Sequence, residues 1–229
     1  MIGRIFSLPG ILIGVVIYGL ISLGLWQLDR ADEKLAITKQ IEIAQSSPAK
    51  QTSTSIGLIK KEYHNVLLAG HYEKNRQFIY DNQIVNGNAG YYILTPFILS
   101  DQQAILINRG FVPWHGRRDR IADIEINPQP RVIKVSLIKP VERIELEKHV
   151  KLPEFPLLIQ SINMSQLEAL SELSFVPIIG RLDKMSTDGF FRQWKPFYGS
   201  SDKHLGYALQ WFLMAFVLFI IALKLLRRG

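Results

Sequence analysis

His204-Leu205-Gly206-Tyr207-Ala208-Leu209-Gln210-Trp211-Phe212 opens a run that carries no charge over residues 205–223 and closes on Lys224, Arg227 and Arg228. A helix needs about 20 apolar residues to cross a hydrocarbon core of roughly 30 Å, so residues 204–226 read as a membrane span. The outer turns of this span hold a histidine, a tyrosine and a tryptophan. His204 and Trp211 stand seven residues apart, two helical turns, and therefore share one face within about 20°. Tyr207 and Ala208 lie between them on that face.

A second uncharged stretch, residues 5–28, lies at the other end of the chain and is also long enough to span. It ends at Trp26-Gln27-Leu28-Asp29-Arg30 and not at the small-residue site of a cleaved signal peptide, so it reads as an uncleaved anchor. Gly10 and Gly14 form a G-x-x-x-G pair, with Gly19, Ser22 and Gly24 nearby, which predicts close packing of the two spans. Two spans put both termini on one side of the membrane and residues 29–203 on the other. Arg4, Lys224, Arg227 and Arg228 in the short tails place the termini in the cytoplasm and the central domain in the periplasm. No Arg- and Ser-rich transit peptide precedes the first span, which points to a bacterial inner membrane.

Beyond Arg30 the pattern Ala31, Leu35, Ile37, Ile41, Ile43 continues as a helix as far as Ser46-Ser47-Pro48. The texture then changes to short runs rich in Val, Ile, Tyr and Phe between turn residues, predicting strands over 65–72, 77–84, 91–99, 104–108 and 131–140. A short helix is expected over 163–173, capped by Ser165, then a strand over 175–182 that Pro177 would confine to a sheet edge or give an irregular start. The fold class is membrane-anchored α+β: two transmembrane helices flanking one mostly antiparallel β domain.

Composition narrows the function. The net charge of +7 is scattered and not interleaved with aromatics, which argues against nucleic acid as a partner and leaves membrane lipid. The chain has no cysteine and its four methionines form no cluster, which argues against disulfides and a thiol-based copper carrier. No nucleophile elbow, phosphate loop or dinucleotide fingerprint is present, and no evident spaced carboxylate pair, so the expectation is a protein that is not an enzyme.

His204 has two readings on the residues alone. Imidazole is a common protein ligand to haem iron, Ala208 would leave room for a flat ring, and Trp211 could stack on it. Equally, His204, Tyr207 and Trp211 could be an aromatic belt at headgroup level. Trp26, Gln27 and Arg30 sit at matching depth on the first span. Trp26 and Gln27 could form the other wall of a haem site, and Arg30 could meet a propionate or snorkel to phosphates. In Asn108-Arg109-Gly110, Gly110 is expected to supply an unusual turn dihedral and Arg109 to pair locally. His64, His71, His115 and His149 have no ligand spacing.

Several stretches together resemble the surfeit-locus family of cytochrome c oxidase assembly factors. They are Leu23-Gly24-Leu25-Trp26-Gln27-Leu28-Asp29-Arg30, Gly70-His71-Tyr72, Gly90-Tyr91-Tyr92-Ile93-Leu94-Thr95-Pro96-Phe97, Ile105-Leu106-Ile107-Asn108-Arg109-Gly110-Phe111-Val112-Pro113, and the opening motif at His204. Their order, their spacing and the two-span layout all match. In place of the family's Gly-Glu strand start stands Arg131-Val132-Ile133-Lys134. The resemblance implies a respiratory-chain assembly factor that binds haem a, with His204 on the iron and Trp211, Trp26, Gln27 and Arg30 around it. It implies cytochrome c oxidase subunit I as recipient and haem a synthase as a further candidate partner. The alternative is a cofactor-free membrane chaperone that stabilises an oxidase subunit.

Overall fold

The structure is a computed structural model that describes residues 8–114, 121–140, 154–194 and 200–227. Residues 5–7 of the expected first span lie outside these, as do Arg4, His115, His149, Lys195 and Arg228. The chain forms two compact units, a helix pair (residues 1–40 and 195–229) and a sheet domain (residues 41–194).

In the helix pair, α1 runs Leu8–Ser46 without interruption, 39 residues or about 58 Å at 1.5 Å per residue. That is nearly twice a hydrocarbon core, so the helix continues past its apolar stretch and stops where Ser46-Ser47-Pro48 predicts. The closing helix, numbered α3 below, spans Ser201–Arg227. Over Gly10–Ser46 and Ser201–Leu225 the two are long and apolar enough to cross a membrane.

Their least exposed residues fall at alternating spacings of three and four: Ile17, Leu20, Gly24, Gln27 and Ala31 on the first, and His204, Ala208, Trp211, Ala215 and Leu218 on the second. This is the heptad-like seam of two packed helices. Small residues bring the backbones close, but the expected G-x-x-x-G pair is not where this happens. Gly14 is exposed and meets nothing, whereas a Cβ on Gly24 would lie 2.5 Å from the Phe212 ring.

The sheet domain contains β1 (Lys50–Thr52), β2 (Asn65–Tyr72), β3 (Phe78–Val85), β4 (Asn88–Ile98), β5 (Ala104–Pro113), β6 (Arg131–Ile138), β7 (Leu157–Ile159), α2 (Met164–Ser171) and β8 (Phe175–Leu182). They make an eight-stranded sheet in the order β1-β2-β6-β8-β5-β4-β3-β7. A further antiparallel pairing, His71↔Ile98 and Tyr72↔Phe97, joins β2 to β4 and closes the ring β2-β6-β8-β5-β4. Closure requires Gly70, because a Cβ there would run into the Ile98 carbonyl oxygen. The pairings are mostly antiparallel; β1 with β2, β3 with β7 and β5 with β8 are parallel.

One core cluster contains Leu68, Tyr72, Phe97, Ile105, Ile107, Val135, Leu137 and Ile178. A second, with Phe78, Leu94, Leu106 and Ile179, receives Leu167 from α2. Ile105 and Ile107 belong to the first cluster and Leu106 to the second, which is why residues 104–107 of β5 read as a continuous apolar run and not as an alternation.

Two expectations are corrected. Asn163, not Ser165, caps α2, its side chain accepting the Gln166 N–H at 3.1 Å. Pro177 does not put β8 at an edge, since β8 lies between β5 and β6. The β5–β8 register shifts between Ala104↔Phe175 and Leu106↔Ile179, and the exposed Pro177 sits in that irregularity, where its missing N–H removes no ladder bond.

Candidate functional site

Within the helix pair, Nδ1 of His204 and Oε1 of Gln27 are 2.7 Å apart. An amide oxygen has no proton, so the imidazole Nδ1–H donates and Gln27 accepts. Gln27 is 9% exposed and Ala208, one turn beyond His204, only 1%. The Phe212 ring packs over the bare Gly24 backbone, and this contact sets the separation that lets Gln27 reach the imidazole. The room expected beside Ala208 is therefore taken up by helix packing, and a flat ligand would have to approach His204 from the flank of the seam. Among the described residues the ring's one hydrogen bond is at Nδ1, which leaves Nε2 for a ligand.

The other expected residues divide. Trp211 lies on the His204 face, half-buried and two turns deeper. Trp26 is 49% exposed and adjoins Gln27 in sequence, so it points about 100° away from it around the helix. Arg30 follows Trp26 by one turn, with its guanidinium 5.7 Å from the indole centroid and 2.6 Å from the Glu33 carboxylate. Trp26 and Arg30 thus form a cluster with Glu33 on the outer face of the first helix, apart from the Gln27–His204 pair. Glu33 was missed from sequence, although its i,i+3 spacing from Arg30 is a legible pairing signal. Tyr207, expected on the His204 face, instead faces outward and is 53% exposed, while Ala208 keeps its place in the seam.

The sheet domain has a polar centre of its own. Gly110 has φ +127°, and Asn108 and Gly110 pair with the adjacent residues Leu94 and Ile93, which leaves Arg109 bulged out of β5. The unusual dihedral expected at Gly110 is present, but inside a strand and not in a turn. A Cβ on Gly110 would lie 2.8 Å from the Phe190 backbone, which packs against the bulge.

Arg109 is 4% exposed and does not pair locally. Its Nε donates to the Asp188 carbonyl at 2.8 Å, and Nη1 to the Ile124 carbonyl at 2.8 Å, Gln77 Oε1 at 3.0 Å and Thr95 Oγ1 at 3.5 Å. Nη2 donates to the Glu125 carbonyl at 3.4 Å. Burial pushes the guanidinium below the usual arginine range. His64 bonds its own neighbourhood through the Glu62 carbonyl, and no cluster of metal-ligating side chains occurs among the described residues.

A family model described as the SURF1 family matches residues 14–216, which takes in most of both helices and the whole sheet domain. The chain belongs to the SURF1 family. Similar proteins include a SURF1-like protein of Rickettsia felis, 25% identical over 226 residues that cover 88% of this chain and 89% of the relative. A SURF1-like protein of Rickettsia bellii is 27% identical over 88% of this chain and 84% of its own length. A shorter match, 31% identical over 94 residues, is to the cytochrome oxidase assembly protein SHY1 of Saccharomyces cerevisiae, covering 39% of this chain and 24% of that one. The SURF1 chain described here is a membrane protein with two span-length helices.

Proposed function

We propose that this SURF1-family protein is a non-enzymatic assembly factor for haem-copper cytochrome c oxidase. It carries haem a as cargo on His204 and delivers it to subunit I. The family membership and the name of the yeast relative, a cytochrome oxidase assembly protein, support the oxidase. The observation that carries the cargo is the His204 imidazole in the helix seam, bonded through Nδ1 and open at Nε2, the arrangement in which an imidazole ligates iron. Trp211 offers an aromatic surface on the same face. Arg30 meets a propionate only after leaving Glu33, an exposed pair that solvent screens. Gln27 holds the ring through Nδ1, Trp26 stays with Arg30 on the outer face, and haem a synthase is the natural donor of the cargo. The protein sits in a bacterial inner membrane with cytoplasmic termini, which Lys224 and Arg227 at the end of α3 favour, and a periplasmic sheet domain.

The test is the absorption spectrum of the full chain, purified in detergent from cells that make haem a. The wild type is expected to carry haem a and His204→Ala to lose it. A haem-free wild type, or haem indifferent to His204→Ala, overturns the carrier role. Haem-free protein that still co-purifies with the oxidase establishes the cofactor-free chaperone instead.

A further inference from the structure

We infer that Gln27 is a positioning residue: its side-chain carbonyl locks His204 in the Nδ1–H tautomer and so presents Nε2, bare and aimed, to the iron of a haem cargo. The inference rests on the carrier reading above and assigns Gln27 a different part in it. Gln27 acts through the imidazole and does not form a wall of the pocket.

The chemistry follows from the contact. Which nitrogen of a neutral histidine is free to ligate is set by the hydrogen bond the other one makes. Here that bond is short, 2.7 Å, and it is made by a nearly buried amide, where little water competes for either group. Glu33, a carboxylate on the same helix as Gln27, is engaged by Arg30 at 2.6 Å, and the neutral amide is the acceptor. Small residues on both helices, Gly24, Ala31 and Ala208, fix the approach that allows it.

The neutrality of the acceptor has its own consequence. A carboxylate at Nδ1–H gives the imidazole imidazolate character and strengthens its bond to iron, whereas a carboxamide orients the ring with less of that push. A carrier must release its cargo, and Gln27 holds the ring without tightening the iron bond.

The experiment uses the full chain in detergent, with ¹⁵N-labelled histidine. In the ligand-free wild type, His204 should show a protonated Nδ1 and a bare Nε2, and in Gln27→Leu a mixture of the two tautomers. With haem a added, Gln27→Leu should bind about 10- to 100-fold more weakly than wild type. Gln27→Glu, which keeps an acceptor at the same place, should retain the Nδ1–H tautomer and bind more tightly, with a lower haem midpoint potential.

A wild-type His204 carrying its proton on Nε2, as it would if the amide were turned to donate to Nδ1, overturns the inference whatever the haem does. So does a Gln27→Leu chain that matches wild type in tautomer and affinity, or a Gln27→Glu chain with an unchanged potential. A wild type that binds no haem a overturns instead the carrier reading on which the inference rests.

Discussion

Arg109 in the sheet domain and His204 in the helix pair are both polar side chains held in largely apolar surroundings, and they are satisfied in different ways. Arg109 has five N–H donors in a rigid fork, and neutral oxygens from Gln77, Thr95, Ile124, Glu125 and Asp188 converge on them. Each of its three nitrogens donates to an oxygen of the protein. It is a fastener that ties β3, β4 and the bulge of β5 to two loop segments. His204 is bonded at one nitrogen, and the other is left over. A saturated polar group is read as structural and a half-satisfied one as functional, because an unmade bond at a partly buried site is a cost that a fold accumulates no benefit from unless something binds there.

The comparison breaks first at Arg109. Arg109→Met keeps most of the volume but removes the donors, and leaves the buried oxygens of Ile124, Asp188 and Gln77 short of partners. The expected loss is roughly 3–5 kcal/mol, read as the unfolding free energy of the detergent-solubilised chain in urea. Arg109→Lys should recover only part of it, since a point charge cannot meet oxygens spread around a planar fork. Below its unfolding transition the variant should bind haem a as the wild type does. A cost under about 1 kcal/mol, or a specific loss of haem from folded protein, would make Arg109 something other than a fastener.

How far each centre could be read from sequence follows from what fixes its partners. Strands that alternate or end on clear turns were legible to the residue, as at Asn65–Tyr72 and Phe175–Leu182. The ends of β4 and β5 were not, because Gly90, Gly110 and Pro113 look like punctuation, yet the sheet keeps all of them in register or beside a bulge. The three-residue strands β1 and β7 are too short to have a period.

In the helix pair, His204 and Gln27 could each be singled out and placed at one depth. That they bond, while Trp26 turns outward, depends on which face of α1 meets α3, and the seam is set by Gly24, Ala31 and Ala208 and not by the G-x-x-x-G pair. Arg109 was visible as a motif residue, but its acceptors are backbone carbonyls of Ile124, Glu125 and Asp188, which have no signature in a sequence.

A sharper form of the comparison comes from Tyr72. It is fully buried against Phe97, with ring centroids 5.0 Å apart, and among the described residues its hydroxyl has no hydrogen-bond partner. Burial pushes the phenol well above its ordinary value. The hydroxyl therefore contributes a desolvation cost and no bond, and Tyr72→Phe should leave stability unchanged or raise it by about 1 kcal/mol, with the ring packing retained. A loss of more than 1 kcal/mol in the same urea measurement would show that the hydroxyl is bonded after all.

The smallest effect belongs to a pair that is wet on both sides and so lies outside either rule. The carboxylate of Asp183 accepts the Met185 N–H at 3.0 Å and faces the Lys134 ammonium at 3.2 Å. Partial burial alone would raise its pKa, but the Met185 N–H and Lys134 more than reverse this and hold it below the ordinary carboxylate value. A depressed acid stabilises the fold in its ionised form. Its contribution is complete above the unfolded value of about 3.9 and fades as pH falls through the lower folded one. Screening limits it to about 0.2–1 kcal/mol. The difference in unfolding free energy between wild type and Asp183→Asn should thus be flat from neutral pH down to about pH 5 and shrink in more acid solution. A difference that grows on acidification would reverse the sign and place the cost of burial above the two contacts, making Asp183 a strained group like Tyr72 and not a satisfied one like Arg109.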